Sequence, residues 1–133
     1  MELNLDFIKD NNNIIVKVKG VLDAHFAPQF KKKVSEYIKP LNNHLIIDLS
    51  NVSHIASAGF GALMPIKNIQ DSKGKKIVLI GLNDNVKKIF NLLGFSNVIK
   101  EYKTLEEAKS SLWWKSTLRL SQVSKNWIRQ GMQ

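Results

Sequence analysis

The chain has 133 residues, 44% of them hydrophobic, which suits one domain with a single hydrophobic core. It contains no cysteine, and its three histidines (His25, His44 and His54) lack the spacing of metal ligands, so we expect neither a disulfide framework nor a metal site. No segment approaches the roughly 18 consecutive apolar residues of a spanning helix, and residues 1–6 do not resemble a signal peptide, so we expect a soluble, cytoplasmic protein.

The net charge of +9 is distributed unevenly. Residues 109–133 contain five basic residues and no acidic residue, so more than half of the excess lies in this segment. Before it, lysines stand mostly beside acids or in short clusters such as Lys31–Lys33, which are typical of a solvated helix face. Charge alone gives at most non-specific affinity for nucleic acids, and no nucleic-acid-reading motif accompanies it. We therefore expect no specific nucleic-acid partner.

The first predicted elements are a β-hairpin and a helix. Apolar and polar residues alternate over 3–7, and an apolar run over 15–18 leads to Gly20, with turn-forming residues at 10–13 between them. Over 25–39 an apolar residue recurs at every fourth position, which predicts an amphipathic helix.

A buried strand is predicted over His44–Leu49, because its residues are almost all apolar, as in strands that are covered on both faces. We expect a loop after it, then a second helix from about Gly59 to Ser72, then a strand over 76–80. Pro65 removes a backbone hydrogen bond about two turns into the second helix, which predicts a kink or a distorted surface there.

The last predicted elements are two helices and a short strand. Asn83 and Asp84 can cap a third helix that ends at Gly94, Val98–Ile99 is a candidate strand, and the capping-box pattern over 104–107 opens a final helix. The resulting order, β-β-α-β-α-β-α-β-α, predicts an α/β fold in which helices pack against a mixed sheet of four to five strands.

The segment 48–62 carries the candidate functional site. A Ser-Ala-Gly-Phe-Gly turn leads from the buried strand into the second helix, so Ser57 is predicted at the N-terminal edge of that helix, where backbone N–H groups and the helix dipole favour a phosphoryl group. The small residues Ala58, Gly59 and Gly61 leave Ser57 open to another protein. The alternative interpretation of Ser57 is a helix N-cap.

Two enzymatic interpretations of this turn fit poorly. A nucleotide-binding phosphate loop needs its full spacing and a lysine, and neither is present after Gly61. A nucleophilic serine needs a base, and His54, the only histidine nearby in sequence, has no identified acid partner or set of oxyanion donors. We therefore predict that the chain is not an enzyme.

Four segments, taken in order, resemble the STAS domain family, whose fold is shared by anti-sigma factor antagonists and the cytoplasmic regions of sulfate transporters. They are Gly-Val-Leu-Asp ending at Asp23, Leu-Ile-Ile-Asp-Leu-Ser-Asn-Val over 45–52, Ser-Ala-Gly-Phe-Gly from Ser57, and Asn-Val-Lys-Lys-Ile-Phe-Asn-Leu-Leu-Gly-Phe ending at Phe95. Each motif alone is weak, but their order and spacing are specific. The resemblance covers residues 1–110, which we interpret as one STAS-like domain, and leaves 111–133 as a basic, tryptophan-containing C-terminal helix or tail.

The resemblance implies an anti-sigma factor antagonist, which binds an anti-sigma factor that is also a serine kinase until one serine is phosphorylated. By position that phosphoacceptor is Ser57. About two negative charges added at a packed interface cost more in desolvation and repulsion than the contact returns. Kinase activity and ATP would belong to the partner, so no cofactor is expected. The residues expected to contact the partner are Asp23, His25, Ala56, Ser57, Ala58, Gly59, Phe60 and Gly61.

One position departs from the family pattern. Antagonists usually have an aspartate immediately before the accepting serine, and here that residue is Ala56. This departure and the tail favour an alternative function, a STAS subunit that regulates a membrane transporter complex without phosphorylation. If 111–133 continues the last helix, its basic and apolar residues fall on broadly opposite sides. Such a helix suits packing on the domain's own sheet or on a second copy, binding to an anionic membrane surface, or binding in a partner groove.

Overall fold

The computed structural model of the protein describes residues 2–112. The order of its elements agrees with the prediction, except that the second helix is divided in two. The strands span Asn4–Asp10 (β1), Asn13–Leu22 (β2), His44–Ile55 (β3), Ile77–Ile80 (β4) and Lys100–Tyr102 (β5). The helices span Ala27–Ile38 (α1), Ser57–Gly61 (α2), Leu63–Ser72 (α3) and Asp84–Leu92 (α4), a 3-10 turn covers Phe95–Asn97, and a further helix (α5) begins at residue 105 and includes residue 112.

The five strands form one mixed sheet in the order β1-β2-β3-β4-β5. β1 and β2 are antiparallel, and the tight turn between them includes Asn11 at a φ of 55°, a left-handed conformation that asparagine tolerates better than most residues. All other neighbouring pairs of strands are parallel. The predicted hairpin and the predicted mixed sheet are both confirmed.

Each face of the sheet is covered by its own hydrophobic cluster. α1 to α4 pack on one face, together with alternate residues of the strands such as Ile14 and Val16. α5 packs on the other face, where Ala108 and Leu112 join a smaller cluster. The strand residues of this smaller cluster are Ile15, Ile46, Val78 and Ile80. Coverage on both faces explains why β4 and the first half of β3 are almost uninterrupted apolar runs.

β3 is longer than predicted, and the loop expected after Leu49 is wrong. The strand continues to Ile55 because its second half pairs in parallel with the end of β2, through two irregularities of register. Its pairing with β4 has already ended at Asp48. Most side chains over 50–54 are exposed, and most of these residues are polar. This part of the strand therefore contains no apolar run by which it could be predicted. The last strand also lies later than predicted, at Lys100–Tyr102 instead of Val98–Ile99.

The break between α2 and α3 agrees with the distortion predicted at Pro65. In one continuous helix the proline ring would press on the carbonyl of Gly61, four residues earlier, and would offer it no N–H. The chain instead ends α2 at Gly61 and begins α3 at Leu63. Pro65 then lies in the first turn of α3, where a proline is tolerated because that N–H needs no partner within the helix.

The packed part of the chain reaches at least residue 112. α5 runs through the predicted domain boundary at residue 110, and Leu112 is only 2% exposed. Residues 113–133 lie outside the described residues, and with them the predicted basic, tryptophan-containing tail. None of the helices within residues 2–112 has both the length and the apolar content that crossing a bilayer requires.

Candidate functional site

The predicted site residues come together at one edge of the sheet because two parallel strands end there in register. Leu22, the last residue of β2, is paired with Ile55, the last residue of β3. Asp23 and Ala56 follow directly, and the Ala56 N–H donates to the carbonyl of Leu22 at 3.0 Å. The segments that enter α1 and α2 therefore leave the sheet side by side.

Asp23 shapes the entry into α1. One of its carboxylate oxygens, Oδ1, accepts hydrogen bonds from the backbone N–H groups of His25 at 3.0 Å and Phe26 at 3.1 Å. Its carbonyl accepts from the N–H of Ala27 at 2.8 Å, which closes the first turn. Asp23 is half-buried, whereas His25 is exposed with its ring edge-on to Phe26, at 4.8 Å between ring centroids. The aspartate thus holds the loop that presents His25.

Ala56, and not Ser57, is the N-cap residue of α2. Ala56 has an extended backbone, and its carbonyl accepts from the N–H of Gly59 at 2.9 Å. Its methyl side chain cannot accept a hydrogen bond, so this helix end lacks the side-chain cap that an aspartate or a serine supplies. Ser57 is the first residue within α2 and is exposed. The N-cap interpretation of Ser57 is therefore wrong.

The hydroxyl of Ser57 differs from those of the other exposed serines on this part of the chain. The Ser50 hydroxyl donates to Oδ1 of Asp48 at 2.5 Å, and the Ser53 hydroxyl lies 3.4 Å from the carbonyl of Gly20. Within residues 2–112 the Ser57 side chain makes no hydrogen bond. Of these three hydroxyls, that of Ser57 is the one available to an external group.

Gly59 holds α2 against the sheet. A Cβ atom built on Gly59 would lie 2.4 Å from the carbonyl oxygen of Leu22 and 2.9 Å from a side-chain carbon of Ile55. Only a residue without a side chain allows the helix to approach this closely. The same construction on Gly61 meets no atom within 4 Å, and Gly61 is exposed.

The ring of Phe60 belongs to the core, which corrects its prediction as a partner-contacting side chain. Phe60 is fully buried, and its ring centroid lies 5.8 Å from that of Phe90 and 5.4 Å from that of Phe95. Gly59 is buried as well. The predicted set therefore leaves four exposed residues, His25, Ser57, Ala58 and Gly61, which we call the Ser57 surface. Asp23 and Ala56 lie beneath it, half-buried.

A shallow cavity beside this edge was not predicted from the sequence. It has a volume of about 300 Å³ and is lined by the end of β3, including His54, and by the exposed side of α4, including Asn85 and Lys88. Asn83 fixes the two walls, since its side chain caps α4 through the N–H of Val86 at 2.9 Å and donates to the carbonyl of Val52 at 3.3 Å. The one feature of the sequence that could have indicated this cavity is that α4 follows a strand of the parallel part of the sheet.

The part of the chain that the structure describes contains no cluster of three or more histidine, aspartate or glutamate side chains able to hold a metal ion. The chemistry that this edge offers is an accessible hydroxyl on a backbone fixed by the sheet, between the small residues Ala56 and Ala58. Such an arrangement suits recognition or covalent modification by a second protein.

Residues 4–108 match the model of the STAS domain family. The chain is 32% identical over 98 residues to the anti-sigma-B factor antagonist of Listeria monocytogenes, an alignment that covers 74% of this chain and 85% of that protein. Among solved structures, an anti-sigma factor antagonist from Mycobacterium paratuberculosis has a TM-score of 0.72 at 20% identity, covering 84% of this chain and 94% of that one. The Bacillus cell fate determinant SpoIIAA in its phosphorylated form has a TM-score of 0.61 at 20% identity, covering 83% of this chain and 98% of that one. Since the family model spans most of the sequence and the same fold recurs in these structures, the chain belongs to the STAS domain family.

Proposed function

We propose that the protein is an anti-sigma factor antagonist-like regulator that binds an anti-sigma factor with serine kinase activity, and that phosphorylation of Ser57 ends this binding. The observation that carries the proposal is the Ser57 hydroxyl, which is exposed at the end of β3 and has no hydrogen-bond partner within residues 2–112. A kinase can reach it without first breaking an internal contact.

The surroundings of Ser57 suit a switch that works by charge. Ala58 and Gly61 on the Ser57 surface are small, so a partner can approach the backbone of α2 closely and exclude water. A phosphoryl group on Ser57 would then bring about two negative charges into that contact. The resulting desolvation and repulsion oppose binding, while the domain keeps its fold because the hydroxyl takes no part in the core.

The relatives support the same function. The Listeria monocytogenes protein is named an anti-sigma-B factor antagonist, and the solved SpoIIAA structure is of a phosphorylated form. A protein with this fold thus carries a phosphoryl group. The partner that we propose for this chain is the corresponding class of protein, an anti-sigma factor and serine kinase that supplies the ATP site.

Ala56 changes how the kinase must recognise this serine. No carboxylate precedes Ser57, and the nearby carboxylate of Asp23 already accepts two backbone N–H groups through Oδ1. Orientation of the hydroxyl must then come from the partner or from the backbone of α2. We expect a kinase that tolerates alanine before the accepting serine.

The first test is the intact mass of the protein before and after incubation with ATP and a lysate of the cells that naturally produce it. We expect the gain of one phosphate on the wild type, its loss in Ser57→Ala, and its retention in Ser53→Ala, which changes a second exposed serine of the same edge. An unmodified wild type, in a lysate that modifies a control antagonist, contradicts the proposal. It would favour the alternative of a transporter-associated STAS subunit, to which Ala56 points.

A binding measurement completes this test. Wild type and Ser57→Ala, immobilised and exposed to the lysate, should retain an ATP-binding serine kinase, whereas Ser57→Glu should lose it because a carboxylate adds charge at the contact. Equal retention by Ser57→Glu would mean that Ser57 lies outside the partner interface.

A further inference from the structure

The outer sides of α1 and α3 enclose a groove that the proposed function does not use. Its volume is about 630 Å³, and its walls come only from these two helices. Pro65 and Ile69 form an apolar part of the lining on α3, and both are half-buried. Ile69 also packs against the main core, so this part of the groove is fixed in place.

The α1 side of the groove is positively charged. Lys31, Lys32 and Lys39 line it and are exposed, and Glu36 is the one acid among the lining residues. The ion pairs found within residues 2–112 involve other lysines, Lys67, Lys87 and Lys109. The three groove lysines therefore have no carboxylate within 4.0 Å in the described part of the chain, and their charge is available to a ligand.

We propose that this groove binds an acidic amphipathic segment of a partner protein. The apolar lining would take the apolar side chains of that segment, as in other grooves that receive a helix. The lysine stems would cover its flanks while their ammonium groups reach its carboxylates. No residue of the Ser57 surface lines the groove, so the inference does not depend on phosphorylation.

The shape of the surface favours a polypeptide over a lipid bilayer. The apolar residues line a recess between two helices, and the lysines stand along one wall of it. Peripheral binding to a membrane instead needs apolar side chains that protrude beyond the basic ones into the headgroup region. Here the lysines are exposed, whereas Pro65 and Ile69 are half-buried.

The test uses two fluorescein-labelled acidic peptides of about 15 to 18 residues with the same composition of leucine and glutamate. One places its leucines at helical i, i+3, i+4 spacing, and the other has a scrambled order. Fluorescence anisotropy with the full-length protein should give at least about tenfold tighter binding for the amphipathic peptide. Backbone amide shifts in NMR spectra should change at Ser35 and Asn68, which also line the groove.

Charge reversal localises the binding. Lys31→Glu combined with Lys32→Glu should weaken binding of the amphipathic peptide by about tenfold or more, because like charges then face it. The matched control is Lys17→Glu with Lys19→Glu, which makes the same charge change at two exposed positions of β2. These positions alternate with Ile14, Val16 and Val18 of the main core and so point to the opposite face of the sheet. We expect the control to keep most of the affinity.

Three results would overturn the inference, provided that thermal unfolding is unchanged in both variants. The two peptides could bind equally, or the two double variants could lose affinity equally, and either result would indicate non-specific attraction to a basic protein. Vesicles of phosphatidylserine could instead bind with the same dependence on Lys31 and Lys32 while the peptides do not, which would assign the groove to an anionic lipid surface.

Discussion

Two glycines of α2, Gly59 and Gly61, have opposite surroundings. Gly59 faces the ends of β2 and β3, where an added methyl group would overlap a backbone oxygen that cannot easily move. Gly61 faces open space, and neither residue has a positive φ. The conformational freedom of glycine is therefore not what either position requires, and the difference between them is steric.

Alanine substitutions should separate these two roles. Gly59→Ala should lower the free energy of unfolding by about 1–3 kcal/mol, because α2 must move away from the sheet. Gly61→Ala should raise it by up to about 1 kcal/mol, because alanine has the higher helix propensity. Urea unfolding of both variants measures the difference. A neutral Gly59→Ala would mean that α2 is not held at this distance.

For single residues, the sequence allowed the position of Ser57 at the start of a helix to be predicted, but not where the side chains of neighbouring residues point. The Ser-Ala-Gly-Phe-Gly segment is too short to have a helical period, so nothing in it indicates whether Phe60 faces a partner or the core. Only the contact with Phe90 and Phe95, which lie 30 or more residues later, determines that the ring is buried. The carboxylate of Asp23 was similarly assigned to a partner, whereas the structure uses it to hold the start of α1.

Among the elements, α2 and α3 show how one proline divides a helix without straining it. The break falls at Ala62, before Pro65, so that the proline occupies the first turn of α3. Its N–H position then falls among those at a helix start that need no partner within the helix. The division also leaves α2 as a helix of only five residues, fixed by Gly59 and Phe60.

Replacing the proline should therefore have little effect on stability. Pro65→Ala should change the free energy of unfolding by less than about 1 kcal/mol, the size of the effect of proline on the unfolded chain. The matched control, Asn68→Pro, introduces a second proline at an exposed position inside α3. It should lower the free energy of unfolding by about 3 kcal/mol or more. Both values come from urea unfolding. A gain of about 3 kcal/mol in Pro65→Ala would instead mean that the native proline strains the helix.

The elements that the sequence identified best are those with a strong period or a strong stop signal. α1 has an apolar residue at every fourth position, and α4 begins at the cap formed by Asn83 and ends before Gly94, which has a φ of 78°. The second half of β3 gives no such signal, because it pairs on one side only and carries mostly exposed polar residues. Its existence depends on pairing with β2, a contact between distant parts of the chain.

For the molecule as a whole, both faces of the sheet are covered, but by hydrophobic clusters of unequal size. The larger cluster involves four helices, whereas the smaller one depends on α5 alone within the described residues. Without α5, the residues Ile15, Ile46, Val78 and Ile80 would face solvent. The C-terminal part of the described chain thus covers one face of the sheet, and α5 continues past the boundary predicted at residue 110.

The contribution of α5 to stability can be measured with two leucine-to-alanine substitutions, one at a buried position and one at an exposed position. Leu112 is 2% exposed and packs in the smaller cluster, whereas Leu92 at the end of α4 is 83% exposed. Leu112→Ala should lower the free energy of unfolding by about 2–5 kcal/mol, because it leaves a cavity over the second face. Leu92→Ala deletes the same atoms from a side chain that is exposed to solvent, and it should change the free energy of unfolding by no more than about 0.5 kcal/mol. Urea unfolding of the full-length chain gives both values, and similar small effects for the two leucines would show that α5 does not stabilise the sheet.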